Sequence, residues 1–91
     1  MIIDSQALRL AKLVTRHIIP HTLGVSAKVD EDANCLRLRA LRLHPDETIN
    51  ITIPGDALRA CETLGDFQRQ VTDGAKEAVF RAKLATVLAG P

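Results

Sequence analysis

The side chains best suited to metal binding or nucleophilic catalysis are few in this sequence. His17 and His21 stand four residues apart, a spacing that suits two metal ligands on one helix, but Pro20 between them breaks the helical register. The cysteines form no Cys-x-x-Cys pair, and no base is placed to activate either thiol. We therefore expect surface histidines and thiols that pack as small apolar residues, with no metal and no cofactor. The residues concerned are His17, His21, His44, Cys35 and Cys61.

Motifs of other common active sites are also missing from the sequence. It contains no Gly-x-Ser-x-Gly elbow and no glycine-rich loop that could hold a phosphate at the start of a helix. The run Asp30-Glu31-Asp32 lacks the glycine and the distal glutamate of a calcium loop, and it predicts a solvated turn. The sequence therefore predicts a protein that is not an enzyme.

The basic residues are the remaining candidates for binding, because guanidinium and ammonium groups bind phosphates and carboxylates. The formal net charge is only +1, which excludes recruitment of nucleic acid by a global basic field. Aromatic residues make up 2% of the chain, so a platform for base stacking is not expected. Two local groups form the hypothetical binding site, one on a sheet face and one on a helix: Lys28, Arg37, Arg39 and Arg42, and Arg9, Lys12 and Arg16. The first group also fits an ordinary solvated face, on which arginine stems cover the sheet.

The element that must position the sheet arginines is a hairpin over residues 35–53. Its first strand alternates leucine with arginine, and the alternation slips near Ala40. A one-residue β-bulge at that point restores the pattern. With the bulge, four leucines face the core and three arginines face water: Leu36, Leu38, Leu41 and Leu43, and Arg37, Arg39 and Arg42. A turn over 44–47 then leads into a second strand, 48–53, whose isoleucines share the apolar face.

The remaining elements follow from helical spacing, capping residues and alternation. The first is a helix over 4–19 capped by Asp4 or Ser5, followed by a strand over 25–29. Asp56 is the predicted N-cap of a short helix that runs through Leu64 and ends at Gly65. Asp66 is the predicted cap of the last helix, which runs to about Ala89, interrupted or not at Gly74. This order predicts an α+β fold. A three-stranded antiparallel meander carries its helices on one face, giving a two-layer sandwich in the order α-β-β-β-α-α.

Length and composition limit the class of protein. A chain of 91 residues suits a single domain, 1–91, and its 46% hydrophobic content suffices for a core that must be aliphatic. The first ten residues carry an acid where a signal peptide needs positive charge, and no apolar run reaches membrane-spanning length. Together with two cysteines that lack a secretory context, these features predict a cytoplasmic protein.

The last helix has more apolar surface than one sheet face needs. A helix laid on a sheet needs an apolar stripe of little more than 100°, whereas apolar residues here spread over most of the circumference. Its alanines would allow a second helix to approach closely, so we predict a homodimer with these residues in the interface: Ala78, Ala82, Ala85 and Ala89. In the alternative arrangement, the first helix and the short helix cover that surface within one subunit.

The segment GAKEAVFRAKLATVL, residues 74–88, and the α-β-β-β-α order resemble the double-stranded RNA-binding domain, whose final helix is also rich in alanine. The resemblance implies a duplex RNA ligand. The family's lysine cluster at the start of that helix is represented here only by Lys76, and its groove-binding loop corresponds to the acidic residues 30–34. On these grounds no binding residue is carried over from the family.

Two functions from different classes follow from the sequence. The favoured one is a small non-enzymatic protein-interaction module: an adaptor, inhibitor or regulator of the size that phages and mobile elements often encode. It would act on a second copy or another protein through its basic sheet face or its last helix. The alternative is a nucleic-acid-binding domain that contacts the backbone of duplex RNA or DNA. Because phosphate binding weakens steeply with salt, titrations of duplexes at two salt concentrations separate the two.

Overall fold

Along the chain, one helix precedes a three-stranded sheet and two helices follow it. The computed structural model describes residues 3–42 and 47–90. Their helices and strands, in chain order, are α1 (Ser5–Ile18), β1 (Thr22–Asp30), β2 (Cys35–Arg42), β3 (Glu47–Pro54), α2 (Gly55–Arg59) and α3 (Leu64–Ala89). This order confirms the predicted α-β-β-β-α-α arrangement and the α+β class.

The sheet is an antiparallel meander with β2 in the centre. One of its faces packs on α1 and α3, which also contact each other. The core is aliphatic apart from Phe67 and Cys61, in line with the composition. It is formed by alternate residues of β2 and β3 and by the inner sides of the helices: Leu36, Leu38, Ala40, Ile49, Ile51, Ile53, Ala7, Ala11, Phe67, Val71 and Ala75. The other face of the sheet carries the side chains that alternate with these.

The predicted bulge near Ala40 is wrong. Strand β2 pairs with β3 without a shift from Cys35 to Arg42, so Ala40 is buried and Leu41 is 45% exposed. The irregularity lies instead on β1, between Thr22 and Gly24. An edge strand accommodates a bulge more easily than a central strand, which would lose hydrogen bonds on both sides. Leu43 and the predicted turn residues 44–46 lie outside the described residues.

The small side chain of Ala40 suits its core position because its neighbours on both sides are β-branched. Ala40 pairs with Val25 on β1 and with Ile49 on β3. The isoleucine is buried and the valine packs against the core, so these larger side chains fill the space beside the alanine. Uninterrupted alternation therefore keeps the core packed with Leu36, Leu38 and Ala40, while Leu41 lies outside it.

Helix α1 begins and ends close to the predicted bounds. Asp4 caps it, because its Oδ1 accepts a hydrogen bond of 2.8 Å from the backbone N–H of Ala7. Its buried residues recur every four positions, at Ala7, Ala11 and Thr15, as expected for a helix with one side on a core.

The boundary between the last two helices differs from the prediction. Helix α2 ends at Arg59, and Gly65 lies inside α3 rather than terminating the helix before it. The cause is a capping box. The Thr63 hydroxyl accepts from the Asp66 N–H, and the Asp66 carboxylate accepts from the Thr63 N–H. Asp66 thus contributes to the cap from the third helical position, and α3 then runs unbroken through Gly74 to Ala89.

The predicted cap at Asp56 is wrong as well. The N-cap of α2 is Pro54, which makes no side-chain capping bond, and Asp56 stands in the first turn. Proline at this point has the extended backbone that a helix start needs, and it also ends β3. The short helix therefore follows the strand directly.

Candidate functional site

The sheet face turned away from the helices brings together three of the four predicted sheet cations. Lys28, Arg37 and Arg39 are exposed there, and the strand register sets Lys28 directly opposite Arg37. Three polar residues complete two rows across the strands, and a shallow depression runs between them. We call this surface the open face; its residues are Ser26, Lys28, Arg37, Arg39, Asn50 and Thr52.

Arg42 does not belong to the open face. Because β2 has no bulge, Arg42 shares the side of Leu38 and Ala40 and is directed toward the helix layer. Its side chain is only 12% exposed, and its Nη1 donates to Oε1 of Glu47 at 3.0 Å. The arginine is thus partly buried in an ion pair at the end of the sheet, beside the last turns of α3.

One of the three open-face cations, Arg37, also forms an ion pair. Nε of Arg37 donates to Oδ2 of Asp30 at 2.9 Å. The pKa of the Asp30 carboxyl lies below its usual range, chiefly because the backbone N–H of Ala33 donates to it and secondly because Arg37 does. Within the described part of the chain, Lys28 and Arg39 form no salt bridge. The open face therefore carries three cations and one adjoining carboxylate.

The predicted helix cations lie in the other layer of the molecule. Arg9, Lys12 and Arg16 are exposed on α1, whose opposite side packs on the inner face of the sheet. Arg16 reaches the strand end, where its Nη2 donates to the Leu23 carbonyl at 3.5 Å. The structure therefore places six of the seven predicted basic residues on two separate surfaces, and Arg42 on neither.

The predicted interface alanines divide in the same way. Ala78 and Ala82 are half-buried against the subunit's own core, whereas Ala85 and Ala89 are exposed. Helical periodicity gives the reason, because Ala78 and Ala82 extend the buried row that contains Val71 and Ala75. Their part in an interface between subunits stays a prediction.

Four large apolar residues near the end of α3 are exposed, on the side of the helix away from its buried residues. Phe80, Leu84, Val87 and Leu88 are 65%, 44%, 73% and 76% exposed. Their spacing of four, three and one places them on one side of the helix, opposite Ala75 and Ala82. We call these four residues the distal stripe. The sequence analysis predicted the alanines as the interface residues. The i, i+4, i+7, i+8 spacing of the distal stripe is the pattern in the sequence that could have indicated these four residues instead.

The thiols and imidazoles do not form a chemical centre in the described residues. Cys35 and Cys61 are buried free thiols; the Sγ of Cys61 donates to the Ala57 carbonyl at 3.2 Å, and burial raises the pKa of this thiol. His17 and His21 are exposed, and His44 lies outside the described ranges. Across residues 3–42 and 47–90, no group of three or more histidine, cysteine, aspartate or glutamate side chains is arranged to hold a metal ion.

Comparison with known proteins returns no match, whether with family models, with curated proteins or with solved structures. Within the described residues, every helix is too short or too polar to cross a membrane. The open face and the distal stripe are therefore interpreted from their own geometry.

Proposed function

We propose that this chain is a non-enzymatic protein-interaction module that binds through the distal stripe, with a second copy of itself as the partner. The observation that supports the proposal is the exposure of four large apolar side chains on the side of α3 opposite its own buried residues. Isolated exposed apolar residues are common on protein surfaces, but a row of four on one helix is typical of a helix that meets a partner.

The shape of the molecule makes the stripe accessible. Helix α3 has 26 residues, so it is about 39 Å long. The longest dimension of the whole chain is 44 Å. Residues 83–90 are all exposed. The last turns of α3 thus present more than one side to solvent, and another helix can lie along the stripe without displacing the core.

The exposed apolar area agrees with a two-fold helix pair. The four side chains expose on the order of 400 Å² per copy, since a large apolar side chain contributes about 100 to 200 Å² when fully accessible. Two stripes, with the lysine stems beside them, would bury roughly 1,200 Å², the lower end of the range for specific stable interfaces. A two-fold axis satisfies both copies at once because each stripe is covered by the other.

Sedimentation velocity at micromolar concentration tests the proposal. We expect the wild type to sediment as a dimer and Leu84→Glu as a monomer, because a buried unpaired carboxylate would destabilise the helix pair. Leu13→Glu is the matched control. Leu13 is 60% exposed on α1, so the same substitution there should leave the dimer intact.

Ala85→Glu separates the distal stripe from the alanine side of the helix. If the alanines formed the contact, Ala85→Glu would dissociate the dimer as fully as Leu84→Glu does. Circular dichroism of each variant shows whether it is folded. A wild type that remains a monomer throughout the micromolar range would overturn the proposal.

A further inference from the structure

We infer that the open face is a second binding site, independent of the distal stripe, which takes an extended acidic polypeptide segment carrying an apolar side chain. The first argument is electrostatic. Lys28 and Arg37 are directly opposite on neighbouring strands, and Arg39 follows two residues later on the same side of β2. Like charges directly opposite one another destabilise a sheet, so this arrangement does not serve the stability of the fold.

The local charge is only partly balanced by the chain itself. Asp30 binds Arg37, and the other two open-face cations form no salt bridge within the described residues. A carboxylate bound between Lys28 and Arg39 would offset the repulsion. A second copy would not, because it would bring the same positive charges to the same place.

The geometry of the open face fits a segment in the extended conformation. Leu41 is 45% exposed and stands two residues after Arg39 on β2. Its neighbours across the sheet are Gly24 and Thr48, so one side of the leucine has no side chain beside it. Residues i and i+2 of a strand are about 7 Å apart on one face. An extended peptide with a carboxylate at one position and an apolar side chain two residues away therefore matches Arg39 and Leu41 together.

The same features disfavour nucleic acid as the ligand. The open face has no aromatic side chain on which a base could stack. Asp30, Glu31 and Asp32 lie at one end of it and would repel a phosphate backbone that continued past Lys28. The exposed leucine at the other end would gain nothing from a phosphate. The open face also offers the hydroxyl and amide groups of Ser26, Asn50 and Thr52, which can donate hydrogen bonds to carboxylates.

Fluorescence anisotropy with a labelled peptide tests the inference. The probe is the extended hexapeptide Glu-Ser-Glu-Ser-Leu-Ser, titrated with the full chain at about 50 mM and 200 mM salt. We expect saturable binding that weakens at the higher salt. Arg39→Gln and Lys28→Gln should each weaken it about tenfold or more, which corresponds to ~1.4 kcal/mol of lost charge-assisted bonding.

Three comparisons make the experiment decisive. Arg9→Gln, the same substitution on α1, should leave the affinity unchanged. A peptide with glutamine in place of both glutamates should bind at least tenfold more weakly. Leu41→Ser should weaken binding of the leucine peptide but not of a peptide with serine in that place.

Four results would overturn the inference. They are the absence of binding below millimolar concentration, equal affinity for the glutamate and glutamine peptides, an equal loss in Arg9→Gln, and tighter, Arg39-dependent binding of a 20-base-pair RNA duplex. The last result would assign the open face to nucleic acid. Since Leu84→Glu lies on another surface, its effect on the dimer is measured separately and neither proposal depends on the other.

Discussion

Gly74 of α3 lies against Ile51 of β3 so closely that a Cβ atom at position 74 would stand 3.2 Å from Cγ2 of the isoleucine. Ile53 is the next neighbour, with its Cγ1 at 3.7 Å from that point. The glycine therefore lets the long helix approach the edge strand, which explains why a residue of low helix propensity occurs in the middle of α3 without interrupting it.

This contact predicts a small effect for a small substitution and a clear destabilisation for a large one. Gly74→Ala gains roughly 1 kcal/mol of helix propensity and meets one tight contact, so the free energy of unfolding should change by less than about 1 kcal/mol. Gly74→Val overpacks the same space and should lower the free energy of unfolding by about 1–3 kcal/mol. Urea denaturation measures both. Equal values for the two variants would show that α3 and β3 are less closely packed.

Two leucines of the same strand should respond very differently to truncation. Leu38 is 1% exposed and Leu41 is 45% exposed. Leu38→Ala should lower the free energy of unfolding by about 2–5 kcal/mol, as truncations in a packed core do. Leu41→Ala should cost well under half as much, because its side chain already meets water. Similar losses measured by denaturant titration would instead support a bulge at Ala40.

The capping box at the start of α3 predicts a pH dependence of stability. The pKa of Asp66 is lowered in the folded chain, chiefly because the backbone N–H of Glu62 and secondly that of Thr63 donate to its carboxylate. A depressed folded pKa means that the stabilisation is present above the unfolded pKa of about 3.9 and is lost as pH falls through the lower folded value. Asp66→Asn should therefore be less stable than wild type at pH 6, and the two should converge under strongly acidic conditions.

Thr63→Ala provides the comparison for Asp66→Asn. It removes an uncharged capping group, so it should lower the free energy of unfolding by about 1 kcal/mol at pH 6. Thermal unfolding at a series of pH values measures both variants. If wild type and Asp66→Asn differed by the same amount at every pH, the carboxylate charge would have no part in the cap.

The cysteines should be unreactive while the chain is folded. Both thiols are buried, and burial raises the pKa of Cys61, which leaves little of the reactive thiolate at neutral pH. A thiol reagent such as dithionitrobenzoate should label both residues quickly in urea and slowly in buffer. A mild oxidant should not form a bridge between Cys35 and Cys61. Rapid native labelling or a stable bridge would contradict the packing of α2 against the sheet.

Residue patterns were enough to predict the order of the elements and the orientation of one strand. The alternation of Ile49, Ile51 and Ile53 with polar residues predicts which face of β3 is buried. All three isoleucines are buried, which confirms the prediction. The cap at Asp4 and the helix it starts are equally local. Such features depend on neighbours within a few residues, so they can be inferred without knowing the fold.

The position of the bulge could not be inferred in this way. The slip near Ala40 suggests an inserted residue on β2, but the choice depends on the cost to the whole sheet. Because a central strand has partners on both sides, the irregularity lies at Leu23 on the edge strand. Arg42 therefore faces the helices and not water, contrary to the prediction. The unshifted register of β2 is thus the reason that Arg42 does not lie on the predicted basic surface.

Residue type and spacing alone were enough to infer the two faces of β3, the start of α1, the aliphatic character of the core and the low net charge. Which surfaces are left uncovered depends on how the elements pack together. The tertiary structure turned Ala78 and Ala82 toward the subunit's own core and left the distal stripe exposed. It also placed Lys28 opposite Arg37 on the open face. The physical reason is that burial and strand register are properties of several elements together, so no single segment carries the information.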